Sequence, residues 1–423
     1  MDRENMEYRQ KTDKVRSGAG KGILIGVLLT ILAGITAVNV FSLVTGNRFV
    51  LVEEGAARAE KSGGELLDDA TVSKINELTA YVDLYYYDEA EKEKLRDGLC
   101  SGLISGLDDR YSVYYNPEEY QQMQIDTTGK YYGIGAGLLQ DKDSMLVSVS
   151  RVYEGTPSEK AGLRAKDVIL SVDGTEADTM DVTELVKLIR GEEGTSVHLE
   201  VYRPVTSEYL SFDVERENVT LPSITSEMIA DGIGYLRIES FESETAAQFE
   251  AAVEQLRGQG MKSLVIDLRY NGGGLVESVV QILDDILPGG LLVYTEDKNG
   301  KREEYKSDDA TKMDYPLAVL INQDSASASE IFAGAIKDFE YGTLIGTTTF
   351  GKGIVQTIFR LNNGDAVKLT TAKYFTPKGN FIHGVGIEPD IELEYEYLNP
   401  EGEEYEMQYD NQIQKAIEVL SGE

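Results

Sequence analysis

Residues 263–274 read SLVIDLRYNGGG, an apolar strand that runs directly into three glycines. Further strand-like segments lie at residues 233–241, 291–297, 316–322 and 343–350, separated by helical segments. Strands that alternate with helices predict βαβ units and a largely parallel sheet, so the fold class is α/β. A helix follows the glycines, so their N–H groups can point at a negative charge near a helix N-terminus. A tight turn explains one glycine more easily than three, and the GxGxxG spacing of a dinucleotide site is missing.

Composition excludes several functional classes. The chain has 423 residues, a formal charge of −34, one cysteine (Cys100) and two histidines (His198 and His383). This length accommodates two or three domains, and the strong acidity argues against a nucleic-acid partner for the chain as a whole. A single cysteine forms no intrachain disulfide, and two histidines leave little material for a metal site. We therefore predict no metal and no cofactor, and a hydrolase in this chain has to find its base among other residues.

The N-terminal region carries an apolar run without a charge from residue 22 to 47. Its core spans about 34 Å as a helix, enough to cross a bilayer, whereas the apolar part of a cleaved signal peptide has only about 7–15 residues. The run therefore predicts an uncleaved transmembrane anchor over residues 22–44. Basic residues precede the run: Arg9, Lys11, Lys14, Arg16 and Lys21. They predict a cytoplasmic segment at 1–21 and a chain that lies outside the cell membrane after a linker at 45–65.

Residues 66–125 show helical periodicity and form the predicted N-terminal helical domain. The repeating apolar residues are Val72, Ile75, Leu78, Val82 and Leu84, and then Leu95, Leu99, Leu103 and Leu107. Short amphipathic helices need a partner surface, which is either each other or a second subunit. The tyrosines at positions 85–87 could belong to a core or to an interface, and we predict a core.

Residues 126–210 change to short strands with one or two helices, and the stretch AGLRAKDVILSVDG at 161–174 carries their most specific pattern. This order resembles a PDZ domain, a module that binds peptide tails. The resemblance implies that Tyr132, Gly133, Ile134 and Gly135 bind the terminal carboxylate of a peptide that adds a strand to the sheet. His198 alternates with apolar neighbours and is expected to be an exposed strand residue.

Two further segments could carry chemistry. Residues 325–330 read SASASE between a strand and a helix, and small residues there permit a sharp turn that lifts a hydroxyl above the end of the sheet. The pair Ser327 and Glu330 also reads as an ordinary helix-capping box. Lys352 is the single charge in residues 347–356, TTTFGKGIVQ, directly after a core strand. We expect this lysine to be partly buried, which lowers the pKa of its amine and lets it take a proton from a hydroxyl.

The motifs DLRYNGGG, NQDSASASEIFAGAIKD, TTFGKGIVQT and YFTPKGNFIHGVGIEPDI, taken in order, resemble the C-terminal processing peptidases, also called tail-specific proteases. The resemblance implies a crotonase-like α/β protease core at 211–395 beside the PDZ domain, with a helical tail at 396–423. It also implies serine endoproteolysis by a Ser-Lys dyad, without a metal. By position, Ser327 is the nucleophile and Lys352 the general base.

The same resemblance implies roles for neighbouring residues. Gln356 orients the lysine, and Asp338 is most simply structural, with an accessory catalytic role as the alternative. The oxyanion hole is formed by the backbone N–H groups of Gly272, Gly273, Gly274 and Ala328. Arg110 follows Asp109 where the family commonly has proline, and Tyr270 and Gly272 replace the common Asn and Pro of the glycine loop.

These observations predict a membrane-anchored serine protease, with its catalytic domain outside the cell, that cleaves proteins near exposed C-terminal tails. The helices at 66–125 and the family resemblance favour a homodimer. The main alternative is an inert, membrane-tethered PDZ adaptor. Two others are a Ser-His-Asp hydrolase that uses His198 or His383, and a crotonase-type acyl-CoA enzyme, for which an extracytoplasmic location offers no CoA.

Overall fold

A computed structural model describes residues 66–128, 130–141, 144–308, 313–398 and 405–422. The helices are α1 (Asp69–Tyr85), α2 (Lys92–Ser105), α3 (Pro117–Thr128), α4 (Pro157–Ala161), α5 (Val182–Ile189), α6 (Thr245–Gly258), α7 (Val276–Ile286), α8 (Ala328–Phe339) and α9 (Asn411–Ser421). Among these described helices, none combines the length and the apolar character that a bilayer span requires. The predicted cytoplasmic segment, anchor and linker at 1–65 lie outside the described residues.

The described strands fall into three larger sheets and one two-stranded ribbon. They are β1 (Val113–Tyr115), β2 (Lys130–Gly133), β3 (Ala136–Gln140), β4 (Val147–Val152), β5 (Val168–Val172), β6 (Thr175–Glu176), β7 (Ser196–Arg203), β8 (Glu208–Glu215), β9 (Glu217–Thr220), β10 (Ile224–Ala230), β11 (Ile233–Ile238), β12 (Ser263–Asp267), β13 (Gly290–Asp297), β14 (Arg302–Ser307), β15 (Leu317–Ile321), β16 (Thr343–Gly346), β17 (Ile354–Arg360), β18 (Ala366–Phe375) and β19 (Ile391–Glu392).

The central sheet has the order β10-β11-β12-β15-β16-β19, and all of its pairs except β10–β11 are parallel. Strand β12 shows why both faces are covered. Leu264 and Ile266 pack into a core with α6, α7 and α8, whereas Val265 faces the opposite core with Ile413 of α9. Alternate residues of a strand point to opposite faces, so a strand that is apolar throughout needs cover on both sides. The predicted parallel sheet with flanking helices is present.

A strand is present at residues 291–297 as predicted, but the expectation that it joins the parallel sheet was wrong. This segment lies in β13, which does not join the parallel sheet but pairs antiparallel with β14 and β18 in a second sheet that also contains β1 and β17. A tight turn, closed by the Asp297 N–H bond to the Lys301 carbonyl at 3.0 Å, lets β13 pair locally with β14. Residues 113–115, which fall within the predicted helical domain, form β1 and pair with β18 of this sheet.

The PDZ region forms a sheet of order β3-β4-β5-β7-β8, with α4 and α5 packed beside it and β3 at one edge. Asp181 caps α5 through bonds from two backbone N–H groups, as its position before the apolar helix suggests. Strand β8 pairs with β7 along its whole length and continues to Glu215, beyond the predicted end at 210. Strands β2 and β9 form a separate antiparallel ribbon at the two ends of this region.

Helices α1 and α2 bury none of their residues. Tyr85, Tyr86 and Tyr87 are exposed, the last of them by 97%, so the expectation that these rings belong to a core was wrong. Helical periodicity identifies an apolar face but does not identify the surface that covers it.

A buried ion cluster attaches the C-terminal helix to the central sheet next to the glycine loop. The Arg269 guanidinium bonds the Asp267 carboxylate at 2.7 Å and the Asp410 carboxylate at 2.9 Å, and it also donates to Gln412 at 2.8 Å. Asp410 in turn caps α9. Buried charges persist when each is paired and hydrogen-bonded, and these are. These bonds therefore hold the end of β12 in place where the chain enters the glycine loop.

Candidate active site

The turn between β15 and α8 presents one serine out of three. Ser325 and Ser329 are fully buried, and their hydroxyls donate to the carbonyls of Leu268 at 2.7 Å and Asn271 at 2.9 Å. Ser327 is only half-buried and has φ of +56° and ψ of −111°. A non-glycine residue in this backbone region is strained, and such strain is concentrated at functional sites. The turn therefore lifts Ser327 at the start of α8, while its neighbours hold the backbone.

The glycine loop packs directly against this turn because Asn271 joins the two. The Asn271 side chain donates to the Ile238 carbonyl at 2.8 Å, and its backbone carbonyl accepts from Ala326 N–H at 3.0 Å. Gly273 has φ of +104°, and a Cβ at this position would lie 2.8 Å from the Cβ of Ser327. Only glycine permits this approach, which explains one of the three glycines in steric terms.

The backbone N–H groups of the glycine loop are not equivalent. Gly273 N–H donates to Asn271 Oδ1 at 2.8 Å and is already occupied. Among the hydrogen bonds of the described residues, none is donated by the amides of Gly272, Gly274 or Ala328. The amide of Ala328 begins α8 and lies 2.8 Å from the point where a Cβ of Gly273 would stand. Free N–H groups at a helix N-terminus are suited to a developing negative charge.

Lys352 lies in the loop between β16 and β17 and is half-buried, as its uncharged surroundings predicted. Burial lowers the pKa of its amine, and the positive charge of Lys368 lowers it further, whereas Glu330 acts in the opposite direction. The amine lies 4.9 Å from the centre of the Tyr111 ring. A desolvated lysine with a reduced pKa is a candidate general base.

Glu330 joins the serine turn to the lysine loop. Its carboxylate is fully buried, and Oε2 accepts from Ser327 N–H at 2.9 Å and from Lys352 N–H at 2.7 Å. Oε1 accepts from Gly351 N–H at 2.7 Å and from the Thr349 hydroxyl at 2.6 Å. The carboxylate half of the predicted capping box is thus formed, but the same group also bonds a loop about 20 residues further along the chain. The sequence showed only the cap.

The structure brings the remaining site residues together in part. Within the described residues, no hydrogen bond joins the Ser327 hydroxyl to the Lys352 amine. Gln356 lies in β17, where its amide contacts the Thr370 hydroxyl at 3.4 Å rather than Lys352. The Tyr374 hydroxyl, which the sequence reasoning missed, is buried and donates to the Ser327 carbonyl at 3.1 Å.

Asp338 is remote from this centre. It lies on α8, about 17 Å along the helix axis from Ser327 at 1.5 Å per residue. Its carboxylate accepts from Lys378 N–H at 2.8 Å, which stabilises the turn after β18. This position supports the structural reading of Asp338.

Neither histidine is bonded to the candidate nucleophile in the part of the chain that the structure describes. His198 lies on β7 of the PDZ region and contacts the Asp213 carboxylate at 2.7 Å. His383 is exposed in a glycine-rich loop, and its ring lies 6.5 Å from that of Tyr111. The geometry gives no Ser-His-Asp arrangement among these residues.

The predicted carboxylate loop of the PDZ region leads into the edge strand β3. Tyr132 is 45% exposed and Ile134 is buried, and the Ile134 carbonyl accepts from Ser158 N–H at 2.8 Å. Gly135 has φ of +75°, and a Cβ there would lie 2.3 Å from Thr156, so this turn needs glycine. Strand β3 pairs with β4 along one edge and lies next to α5. Gln140 connects β3 to α5, because its side-chain oxygen accepts from Val182 N–H at 3.1 Å. The free edge of β3 is suited to pair with an added strand.

Comparisons with known proteins identify the families to which two parts of this chain are similar. Residues 232–393 match the family model described as Peptidase family S41, and residues 148–203 match that of the PDZ domain. The chain is 34% identical to the carboxy-terminal processing protease CtpA of Bacillus subtilis, over 86% of this chain and 76% of that protein. It is 36% identical to CtpB of the same organism, over 77% and 68% of the two chains.

Among solved structures, the photosystem II D1 C-terminal processing protease is 32% identical, with a TM-score of 0.46 over 76% of this chain and 87% of that one. The identity to CtpA over most of both chains establishes the relationship. This chain is a serine endopeptidase and belongs to the C-terminal processing proteases of peptidase family S41.

Proposed function

We propose that this protease cuts peptide bonds with Ser327 as the nucleophile and Lys352 as the general base. The observation that carries the proposal is the shared carboxylate oxygen of Glu330, which accepts the backbone N–H groups of both residues. That oxygen makes the serine turn and the lysine loop neighbours. Ser325 and Ser329 are excluded as nucleophiles because both are buried and bonded to backbone carbonyls.

In the proposed cycle, the neutral Lys352 amine takes the proton of the Ser327 hydroxyl as its oxygen attacks the scissile carbonyl. The resulting ammonium then gives this proton to the leaving amine, which departs and leaves an acyl-enzyme. Water hydrolyses the ester by the same proton route, and Ser327 is restored. The Lys352 amine lies over the Tyr111 ring, and among the described residues it makes no hydrogen bond to the Ser327 hydroxyl. Catalytic hydrogen bonds often form only in the substrate complex.

We assign the oxyanion to the N–H groups of Gly272 and Ala328, with Gly274 as a further donor. Gly273 contributes by its lack of a side chain, because its own N–H is held by Asn271. One such donor contributes about 2.7–4 kcal/mol to transition-state stabilisation. No neighbouring atom lies within 4 Å of a Cβ position at Gly272, so this part of the loop has open space for a substrate.

We propose that the PDZ region recruits substrates by their C-terminal carboxylate, at residues 132–135 and along β3. The test compares one tail peptide as the free acid with the same peptide as its C-terminal amide. Loss of charge-assisted hydrogen bonds is expected to raise KM by about 10- to 100-fold for the amide. Product masses identify the cleaved bond. Equal cleavage of acid and amide would contradict tail recognition, while proteolysis itself would stand.

Helix α3 offers a route by which tail binding could act on the protease site. Arg190, at the end of α5, donates to Gln122 of α3 at 2.9 Å, and Arg360 of β17 donates to Tyr120 of α3 at 2.6 Å. Helix α3 therefore contacts both the peptide-binding region and the strand that follows Lys352. If tail binding only holds the substrate on the enzyme, the amide peptide differs from the free acid in KM alone. If tail binding also activates the protease site, kcat is lower for the amide peptide as well.

We further propose that residues 22–44 anchor the enzyme in the cell membrane with its protease domain outside, and that the exposed helices at 66–125 pair in a homodimer. The support is the uncharged apolar run with basic residues before it, and the apolar side chains of α1 and α2, none of which is buried. The full chain is expected to float with vesicles, and residues 66–423 to remain in solution at the mass of a dimer. A full chain that stays in the aqueous fraction, or a monomeric fragment, would contradict the respective proposal.

A further inference from the structure

We propose that Tyr111 is a positioning residue for the general base, which holds the Lys352 amine against its ring and keeps water from it. This inference rests on the proposed role of Lys352. The two residues lie far apart in the sequence, yet the amine is 4.9 Å from the ring centre. Tyr111 is half-buried and comes from the segment between α2 and β1, which carries none of the catalytic residues assigned above.

The segment that carries Tyr111 is held firmly. The Asp109 carboxylate accepts from Tyr111 N–H at 3.0 Å and from the Ser112 hydroxyl at 2.6 Å. The Ser112 hydroxyl oxygen, in a buried side chain, accepts in turn from Thr370 N–H of β18 at 3.1 Å. These bonds tie residues 109–112 to the second sheet and hold the backbone of Tyr111 in place. The Tyr111 ring is the wall that shields the Lys352 amine.

Arg110 holds this ring from outside. Its guanidinium lies 4.7 Å from the centre of the Tyr111 ring and 5.3 Å from that of Phe350, two residues before Lys352. It also donates to the Tyr111 hydroxyl. Arginine stacks well on aromatic faces, so Arg110 connects the wall to the lysine loop. Its positive charge opposes protonation of the nearby amine.

The groups that face Lys352 define the expected pH behaviour. Glu330 of α8 and Asp109 favour the ammonium, whereas Lys368 of β18 and Arg110 oppose it. The His383 backbone packs at Gly353, which places a further ionisable side chain near the site. Burial is the largest influence and lowers the pKa of Lys352. The ring face itself favours the ammonium, but burial, the largest influence on Lys352, disfavours it, so we expect removal of the wall to move the pKa of Lys352 upward.

The test is the pH profile of kcat/KM on a tail peptide, measured for Tyr111→Ala, Tyr111→Phe, Arg110→Met and His383→Ala. We expect Tyr111→Ala to lower kcat by about 10- to 100-fold and to move the rising limb to higher pH. Tyr111→Phe keeps the ring and should retain the wild-type limb, with kcat within about twofold. Arg110 is exposed, so Arg110→Met is expected to fold. Its rising limb should also move to higher pH, so that kcat/KM at a fixed pH on the limb falls by about three- to tenfold. His383→Ala should leave the limb in place.

Two results would overturn the inference. One is an unchanged limb in Tyr111→Ala, because a purely structural ring lowers the rate without moving the limb. The other is a higher kcat in Tyr111→Ala, which would mean that the ring stores the amine away from Ser327. Should Tyr111→Ala not fold, Tyr111→Leu, which fills space without a ring face, takes its place in the comparison with Tyr111→Phe. Ser327→Ala and Lys352→Ala are measured alongside, and activity in either of them contradicts the dyad itself. If both are inactive while the limb of Tyr111→Ala stays in place, only the role of Tyr111 is contradicted.

Discussion

Alanine in place of Ser327 or Lys352 is expected to lower kcat by about ten-thousandfold to a millionfold, with the peptide-binding function of the PDZ region intact. Nucleophile and base act as one unit, so either deletion removes nearly the whole covalent route. The residual rate reflects binding and the oxyanion donors alone. The measurement is single-turnover cleavage of a tail peptide, with peptide affinity measured on the same preparations.

Arginine at position 352 separates base catalysis from charge. Lys352→Arg keeps a positive group in the loop, but a guanidinium does not lose its proton in proteins, so this variant should be as inactive as Lys352→Ala. Lys337→Ala removes a half-buried lysine near the far end of α8, the helix that begins after Ser327, and should retain the wild-type rate. Appreciable turnover by Lys352→Arg would show that the lysine acts through its charge, and the base assignment would be wrong.

The direction of the pH dependence follows from the same assignment. A general base has to be neutral before it accepts a proton, so the rate rises with pH as the Lys352 amine deprotonates. Burial lowers the pKa of this amine, and the rate should therefore reach its plateau at a lower pH than an exposed lysine permits. Lys352→Ala should abolish this limb together with the activity.

The sequence predicted the parts of this site that depend on local pattern. The strands around residue 263 are apolar throughout because helices cover both faces of the sheet, and that pattern is visible without coordinates. The partial burial of Lys352 was predictable because no other charge lies in its segment. The choice of Ser327 among three serines came from family resemblance. The structure adds a physical reason, because the hydroxyls of Ser325 and Ser329 already donate to backbone carbonyls.

Contacts between distant segments were not predictable from pattern. Glu330 has the spacing of a helix cap, and nothing in that spacing shows that its second oxygen bonds the loop of Gly351. Tyr111 reaches Lys352 through pairing of β1 with β18, which no local periodicity encodes. Residues 291–297 alternate with helices as a parallel strand does, yet β13 pairs with its hairpin neighbour β14 because a tight turn makes that partner nearer.

Replacement of Glu330 by alanine is expected to lower kcat by about a hundredfold or more and to destabilise the fold. The change leaves the N–H groups of Ser327, Gly351 and Lys352 without their buried acceptor, at a cost of about 1–3 kcal/mol each if water does not replace it. The serine turn and the lysine loop then lose their common tie, and a displacement of about 1 Å between reacting groups costs about a hundredfold in rate. Thermal unfolding and single-turnover kinetics measure the two effects separately.

Glutamine at position 330 makes the prediction sharper because an amide has only one acceptor oxygen. Placed toward Ser327 and Lys352, that oxygen preserves the tie, while the NH2 group faces Thr349 and Gly351. The NH2 group can still donate to Thr349 Oγ1, which also accepts from Ile387 N–H at 2.7 Å, but the Gly351 N–H is itself a donor and loses its acceptor. We expect Glu330→Gln to lose about tenfold in kcat, between wild type and alanine. Glu340→Ala, at the exposed far end of the same helix, should match wild type. Equal kcat for Glu330→Gln and Glu330→Ala would mean that the negative charge, rather than the shared acceptor, carries the effect.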